Sequence, residues 1–213
     1  MIRHADPDYK NDTITEKGRR EARALAESLK GLIDDLYVSP LGRARETCKY
    51  ISKALNIDPI VLGWLREIDI GLDLGYAPWN FPKIEYLLKE DFPSPHNWWK
   101  KFRVGEHDIG KYLKPSYYMI ANGFDKLMEK YGYERVKSLY KFKEAKDKRI
   151  ALVAHGGMIL TLLSYLLHWP LPLIYVHGKI DTTGVTIISL EEIGSGYAVP
   201  RLIVFNDLSH LKL

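Results

Sequence analysis

Residues 149–157 read RIALVAHGG. The run Ile150–Ala154 is apolar throughout, too short for an ordinary helix, and bounded by Arg149 and a Gly-Gly pair, so it reads as a buried strand. The glycines lead into MILTLLSYLLH (158–168), a buried helix. A strand that delivers His155 and two glycines to a helix start is a unit of an open α/β sheet. In such sheets ligands bind beyond the carboxyl ends of the strands.

Working outward, the same alternation recurs. TITEKGRREARALAESLKG (13–31) predicts an amphipathic helix with Thr15 as N-cap, Ala22, Leu25, Ala26 and Leu29 on one face, and Gly31 in the left-handed position at its end. DDLYVSP (34–40) is a short strand stopped by Pro40, and GRARETCKYISKALN (42–56) a second helix with Ala44, Cys48, Ile51 and Leu55 as its inner stripe. DPIVLGW (58–64) is a strand, and TTGVTIISLEE (182–192) with PRLIVFND (200–207) forms a hairpin across the turn-rich IGSGYAVP. The expected architecture is a three-layer α/β/α domain over residues 1–213, with a mixed, mostly parallel central sheet. Residues 76–116, rich in Trp, Tyr, Pro and Lys, break the pattern and read as an irregular aromatic-rich insertion without a core of its own.

Composition sets the class. The chain has 213 residues, 46% hydrophobic and 27% charged, ordinary values for a folded domain. A net charge of +4 suits small anions as well as nucleic acid and does not choose between them. One cysteine rules out an internal disulfide and argues against a structural zinc site. With no recognisable signal peptide, the chain reads as cytoplasmic. MILTLLSYLLHWPLPLIYV (158–176) is broken by His168, Pro170 and Pro172, so no membrane span is expected.

The residues that follow the strands carry the chemistry. The opening stretch delivers Arg3 and His4, the second strand Arg43, the third Arg66 and Glu67, and the RIALVA strand His155 with Gly156. Guanidiniums grip a phosphoryl group bidentately and stay charged at any working pH. A helix start after Gly-Gly adds backbone N–H donors. A histidine among cations is held neutral, and neutral imidazole is a nucleophile. Glu67 is the candidate acid, with Asp69 and Asp73 as rivals. His168, His177 and His210 lack metal-ligand spacing and read as structural or surface residues.

Arg3–His4, TITEKGRREA (13–22), SPLGRARET (39–47), LREIDIG (65–71) and AHGG (154–157), in this order, resemble the histidine phosphatase superfamily, the phosphoglycerate-mutase-like proteins. The resemblance implies that His4 is a nucleophile forming a phosphohistidine and that Arg3, Arg43, His155 and Gly156 bind the phosphoryl group. It implies further that Glu67 is the acid and base, and that no metal or cofactor takes part. The substrate would be a small phosphate ester, with neither nucleic acid nor membrane as partner. Within the family, Gly156 argues against the phytase-like branch. The short step from His4 to Thr15 favours a phosphatase over a mutase. Two departures stand out: Ala5 replaces the usual glycine, and Lys10 stands where an asparagine is usual, with Asn11 one place later. A phosphoglycerate mutase and a non-catalytic phospho-ligand or nucleic-acid-binding module remain the alternative readings.

Two segments lie outside these motifs. Residues 130–149 hold eight Lys/Arg and three acids, a net of +5, and read as a solvated helix end and linker rather than a nucleic-acid patch. The aromatic insertion reads equally as a cover for the substrate's non-phosphate end and as a packed excursion. Finally, the lead-in before Arg3 is shorter than a usual strand: either Asp6, Pro7 and neighbouring loops pin a minimal strand or the natural chain begins upstream, and the second is expected.

Overall fold

The computed structural model describes residues 1–71, 77, 97–100, 102–103, 107–144 and 147–211. Along the chain run β1 (Ile2–Arg3), β2 (Pro7–Asp8), β3 (Thr13–Ile14), α1 (Glu16–Ser28), β4 (Asp35–Val38), α2 (Gly42–Leu55) and β5 (Ile60–Val61). Then come α3 (Ile109–Glu129), β6 (Tyr133–Val136), β7 (Leu139–Phe142), β8 (Ile150–Ala154), α4 (Gly156–Leu167), α5 (Leu171–His177), β9 (Val185–Gly194) and β10 (Tyr197–Asp207). The central sheet has eight strands in the order β5-β4-β8-β1-β9-β10-β7-β6. β5, β4, β8 and β1 are mutually parallel and each later pairing is antiparallel, so six of the eight run one way, with β9 and β7 reversed.

Strand alternation sends side chains to two helical layers. Leu36, Val38, Ala151 and Val153 meet Leu25 and Ala26 of α1, Leu29 at its C-cap, and Ala44, Cys48 and Ile51 of α2. Their neighbours Tyr37, Leu152 and Ala154 face the larger cluster built by α3, α4 and α5. Thr15 caps α1 as expected, its Oγ1 accepting from Gly18 N–H at 3.1 Å, and Gly31 takes the left-handed conformation at φ 72.

β1 is only two residues long, yet its backbone is pinned on both sides. His4 N–H donates to Ala154 O at 2.9 Å, Arg3 N–H to Gly184 O at 3.2 Å, and Thr183 N–H to Arg3 O at 3.1 Å. At the amino end of β1, away from these groups, a cavity of about 480 Å³ passes between β8 and β9, lined by Leu29 from one layer and Phe124 from the other.

Two expectations change. Within the stretch 130–149, read as helix end and linker, Tyr133–Val136 and Leu139–Phe142 instead form the hairpin β6–β7, which pairs with β10 through Ala198↔Tyr140. Its Lys and Arg residues hide a period of two whose inward member, Tyr140, is fully buried. The turn is set by Lys137 at φ 56. Most of the 76–116 stretch lies outside the described residues. Of the rest, Trp98 and Phe102 are fully buried in the main core, and α3 begins at Ile109, well before residue 116. The buried series Ile109, Leu113, Tyr117, Ile120, Phe124 and Leu127 is a helical stripe that Pro115 obscures in the sequence. Among the described residues, no helix is long and apolar enough to cross a membrane.

Candidate active site

Three adjacent parallel strands end at one level. β4 releases Ser39, β8 releases His155 and β1 releases His4, so these side chains stand together beyond the carboxyl edge. The His4 and His155 rings lie 5.1 Å apart between centroids, and both residues are almost completely buried.

His4 Nδ1 lies 2.8 Å from Ala5 O. A carbonyl only accepts, so Nδ1 carries the proton and Nε2 keeps its lone pair. Burial, reinforced by Arg3 and Arg43, pushes the His4 pKa down to about 3, so the imidazole is neutral at any ordinary pH. Ala5, where the family resemblance implies a glycine, is fully buried against Ile14 and Ala22 and sits outside the positive-φ region. Its N–H donates to Thr47 Oγ1 at 2.9 Å. The extra methyl therefore fills core space without backbone strain.

His155 is the N-cap of α4, and its Nε2 lies 2.8 Å from Ser39 Oγ. Burial, with His4 and the two arginines adding repulsion, pushes its pKa down to about 2. Arg3 is anchored by one nitrogen, Nη1, which donates to Ile180 O at 2.5 Å. Arg43, in the first turn of α2, is anchored by Nη1 on Asp12 Oδ1 at 2.7 Å. Gly156 packs on Arg3, whose Nε would lie 3.7 Å from a Cβ added there. Thr183, a β-branched residue at the unusual φ of 56, holds the Arg3 carbonyl.

Glu67 follows a short 3₁₀ turn at Gly63–Leu65, with buried Leu65 and Ile68 fixing the loop on either side. α3 supports that loop from below: a Cβ on Gly123 would fall 2.4 Å from the Trp64 ring, so only glycine admits the indole. The carboxylate accepts from Ile68 N–H and Met158 N–H at 3.0 Å each, and from Gly157 N–H at 3.4 Å. The Gly-Gly helix start is therefore shared, with the expected Gly156 position left outside these three bonds. The second and third N–H groups of α4 hold the acid. Burial pushes the Glu67 pKa up to about 7, while the three N–H donors and Arg43 pull it down. Asp69 instead accepts from Gly71 N–H in its own exposed turn, and Asp73 lies outside the described residues.

Asp12, Ser39 and Tyr9 complete the site, none of them assigned from sequence. Asp12 Oδ2 accepts from Gly42 N–H at 2.6 Å, and Gly42 must be glycine because a Cβ would fall 2.0 Å from Asp12 O. Thirty residues separate the two, and nothing in the sequence links them. Ser39, by contrast, follows its strand directly inside SPLGRARET, which is a readable signal. Tyr9 is 65% exposed, with its ring 5.4 Å from the Arg43 guanidinium and 6.5 Å from the His4 ring. Asn11 does not reach the cluster; its amide donates to Asp8 Oδ2 at 2.7 Å in an exposed turn. Arg66 is exposed to solvent.

Among the described residues, five buried side-chain polar atoms have no hydrogen-bond partner, and three of them are Arg3 Nε, Arg43 Nε and His155 Nδ1. Unsatisfied buried polar atoms are rare and costly, so three around one imidazole mark a place built for acceptors.

The sequence profile of the histidine phosphatase superfamily (branch 1) matches residues 1–199. The chain belongs to that superfamily. Among curated relatives, a 2,3-bisphosphoglycerate-dependent phosphoglycerate mutase of Thermoplasma acidophilum is 35% identical over 33% of this chain and 41% of its own. Phosphoserine phosphatase 1 of Hydrogenobacter thermophilus is 27% identical over 46% of this chain and 48% of its own. These matches thus span less than half of each relative's length. Among solved structures, phosphoserine phosphatase from Entamoeba histolytica in complex with 3-phosphoglyceric acid superposes with a TM-score of 0.67 at 22% identity, covering 99% of this chain and 96% of that one. A mycobacterial glucosyl-3-phosphoglycerate phosphatase complexed with VO3 gives 0.60 at 22% identity, covering 97% of both chains. At that identity the likeness concerns the fold.

Proposed function

We propose that the chain is a phosphomonoester hydrolase acting on a small phosphorylated metabolite through a phosphohistidine at His4. The observation that carries this reading is the set of three unpartnered buried nitrogens beside a neutral imidazole. A transferring phosphoryl group spreads its charge over three equatorial oxygens, and catalysis is mostly their placement and stabilisation. Arg3 and Arg43 each keep a guanidinium edge for those oxygens because the other edge is tied down, and His155 adds a third contact.

The steps follow from the atoms. His4 Nε2 attacks phosphorus as the ester P–O bond breaks, and Glu67 gives its proton to the leaving oxygen. Glu67, now a carboxylate, takes a proton from water. The water oxygen attacks phosphorus, the N–P bond breaks, and phosphate leaves with His4 restored. A carboxyl whose pKa lies near 7 serves both half-reactions at neutral pH.

His4→Ala is expected to lower kcat by a factor on the order of 10⁴ or more, as losses of nucleophiles do. Phosphate release from a panel of esters measures it, and normal turnover by the variant rules out His4 as nucleophile. A second reading, phosphoglycerate isomerisation, is favoured by the likeness to the phosphoglycerate mutase of Thermoplasma acidophilum. Conversion of 3-phosphoglycerate without phosphate release would select it.

A further inference from the structure

We propose that Ser39 is a positioning residue: it fixes His155 in the tautomer protonated on Nδ1, so that this imidazole donates a hydrogen bond to the phosphoryl group. The proposal rests on the phosphatase reading and deepens it.

The argument is a count of protons. Ser39 is fully buried, and its N–H is spent on Val153 O at 2.9 Å. Its hydroxyl oxygen accepts from Leu41 N–H at 3.3 Å and lies 2.8 Å from His155 Nε2. A neutral imidazole has one N–H, so two arrangements exist. With the proton on Nε2, Ser39 Oγ would accept twice and its own hydroxyl proton would have no acceptor in a buried site. His155 Nδ1 would then turn a bare lone pair toward an anion. With the proton on Nδ1, a single chain satisfies every group: Leu41 N–H to Ser39 Oγ, Ser39 O–H to His155 Nε2, and Nδ1–H left for an oxygen acceptor. Nδ1 is a buried atom with no hydrogen-bond partner among the described residues. The hydrogen bond at one ring nitrogen thereby decides what the other can do.

The arrangement also explains how two neighbouring histidines play opposite parts. Both carry the proton on Nδ1. His4 spends its N–H on Ala5 O and offers a lone pair, whereas His155 spends its lone pair on Ser39 and offers an N–H.

Imidazole ¹⁵N NMR of the full chain, alone and with inorganic phosphate, tests this directly. In the unmodified protein the His155 Nδ1 signal is expected to be of the protonated type and Nε2 of the bare type. Ser39→Ala is expected to give a mixture of tautomers and to lower kcat roughly 10- to 100-fold. Ser39→Thr, which keeps the hydroxyl, is expected to restore both. A protonated Nε2 in the unmodified protein overturns the proposal, and so does an unchanged tautomer in Ser39→Ala. Should Ser39→Ala fail to fold, the unmodified spectrum and Ser39→Thr still decide. The tautomer is read without turnover, so a chain that hydrolyses no ester would sink the phosphatase reading while the NMR result judges Ser39 separately.

Discussion

Two helices start at this site, and each starts against a carboxylate sent from elsewhere in the chain. At α2, Asp12 accepts from Gly42 N–H and Arg43 N–H; at α4, Glu67 accepts from Gly157 N–H and Met158 N–H. The local motif is the same, yet the two acids differ in kind. Although partial burial pushes Asp12 up, its hydrogen bonds from Gly42 and Arg43 hold it below the usual carboxylate range. At Glu67 burial wins, and the pKa stands at about 7. The Asp12 side chain keeps 44% of its exposure and faces a guanidinium at 2.7 Å, whereas half-buried Glu67 faces no cation that close among the described residues and sets its carboxylate against the first turn of α4. A helix N-terminus favours a negative charge at both places. The balance between desolvation and hydrogen bonding decides whether the acid stays charged or holds a proton near neutral pH.

Glu67→Gln breaks the contrast most severely. The amide oxygen still accepts from the helix, but no proton can be given. For esters with poor leaving groups kcat/KM is expected to fall about 10²- to 10⁴-fold, with a much smaller loss on nitrophenyl phosphate, whose leaving group needs no acid. Steady-state kinetics on both substrates measure it. Equal losses would count against Glu67 as the acid.

Asp12→Ala removes the clamp. Loss of a cap costs about 1 kcal/mol, read by denaturant unfolding, and the released Arg43 is expected to raise KM several-fold. Asp12→Asn sharpens the test, since it keeps an acceptor for Gly42 N–H and gives up the charge. Stability should largely survive and KM should still rise. If KM stays unchanged, Asp12 does not position Arg43.

The remaining test reads stability against pH rather than turnover. Glu67 keeps its proton to about 7 in the folded state but only to about 4.5 when unfolded. The folded state therefore binds more protons between those values, and the Glu67 contribution makes stability fall as pH rises through that window. His4 and His155, whose folded pKa values are depressed, act oppositely: their contribution falls as pH drops below about 6.5. Both histidines remain in Glu67→Gln, so the difference between its melting curve and that of the unmodified protein isolates the Glu67 term. That difference should vary from pH 4.5 to 7; parallel curves would show an ordinary carboxyl. For Asp12→Asn the corresponding difference should appear only below about pH 3.8.

The parallel half of the sheet was legible because its strands are short apolar runs that end in conspicuous polar residues: Arg3–His4, Ser39 and His155–Gly156. The expected site residues Arg3, His4, Arg43, Glu67, His155 and Gly156 stood on those ends or in family motifs. The β6–β7 hairpin was not legible, because Arg135 and the lysines lend strand residues the look of a solvated helix. In the structure the Arg135 guanidinium lies 4.8 Å from the Tyr140 ring and 4.6 Å from that of Tyr165, an inward role that charge alone does not suggest. Asp12 was hidden for another reason. Its partners are 30 and 31 residues away, and only the closed fold brings a turn aspartate in its left-handed conformation against α2.

Cys48, fixed in the stripe of α2 that faces the sheet, has a consequence for reagents rather than for catalysis. Burial pushes its pKa up to about 12, and the chain has no other cysteine. Peroxides and alkylating agents, which need a thiolate, therefore meet none at neutral pH. Oxidants that silence thiol-based hydrolases should leave this chain's turnover intact. The same silence makes it a clean background for labelling: a dye coupled to Tyr9→Cys would be the only one on the molecule, placed beside Arg43 to report the arrival of an anion.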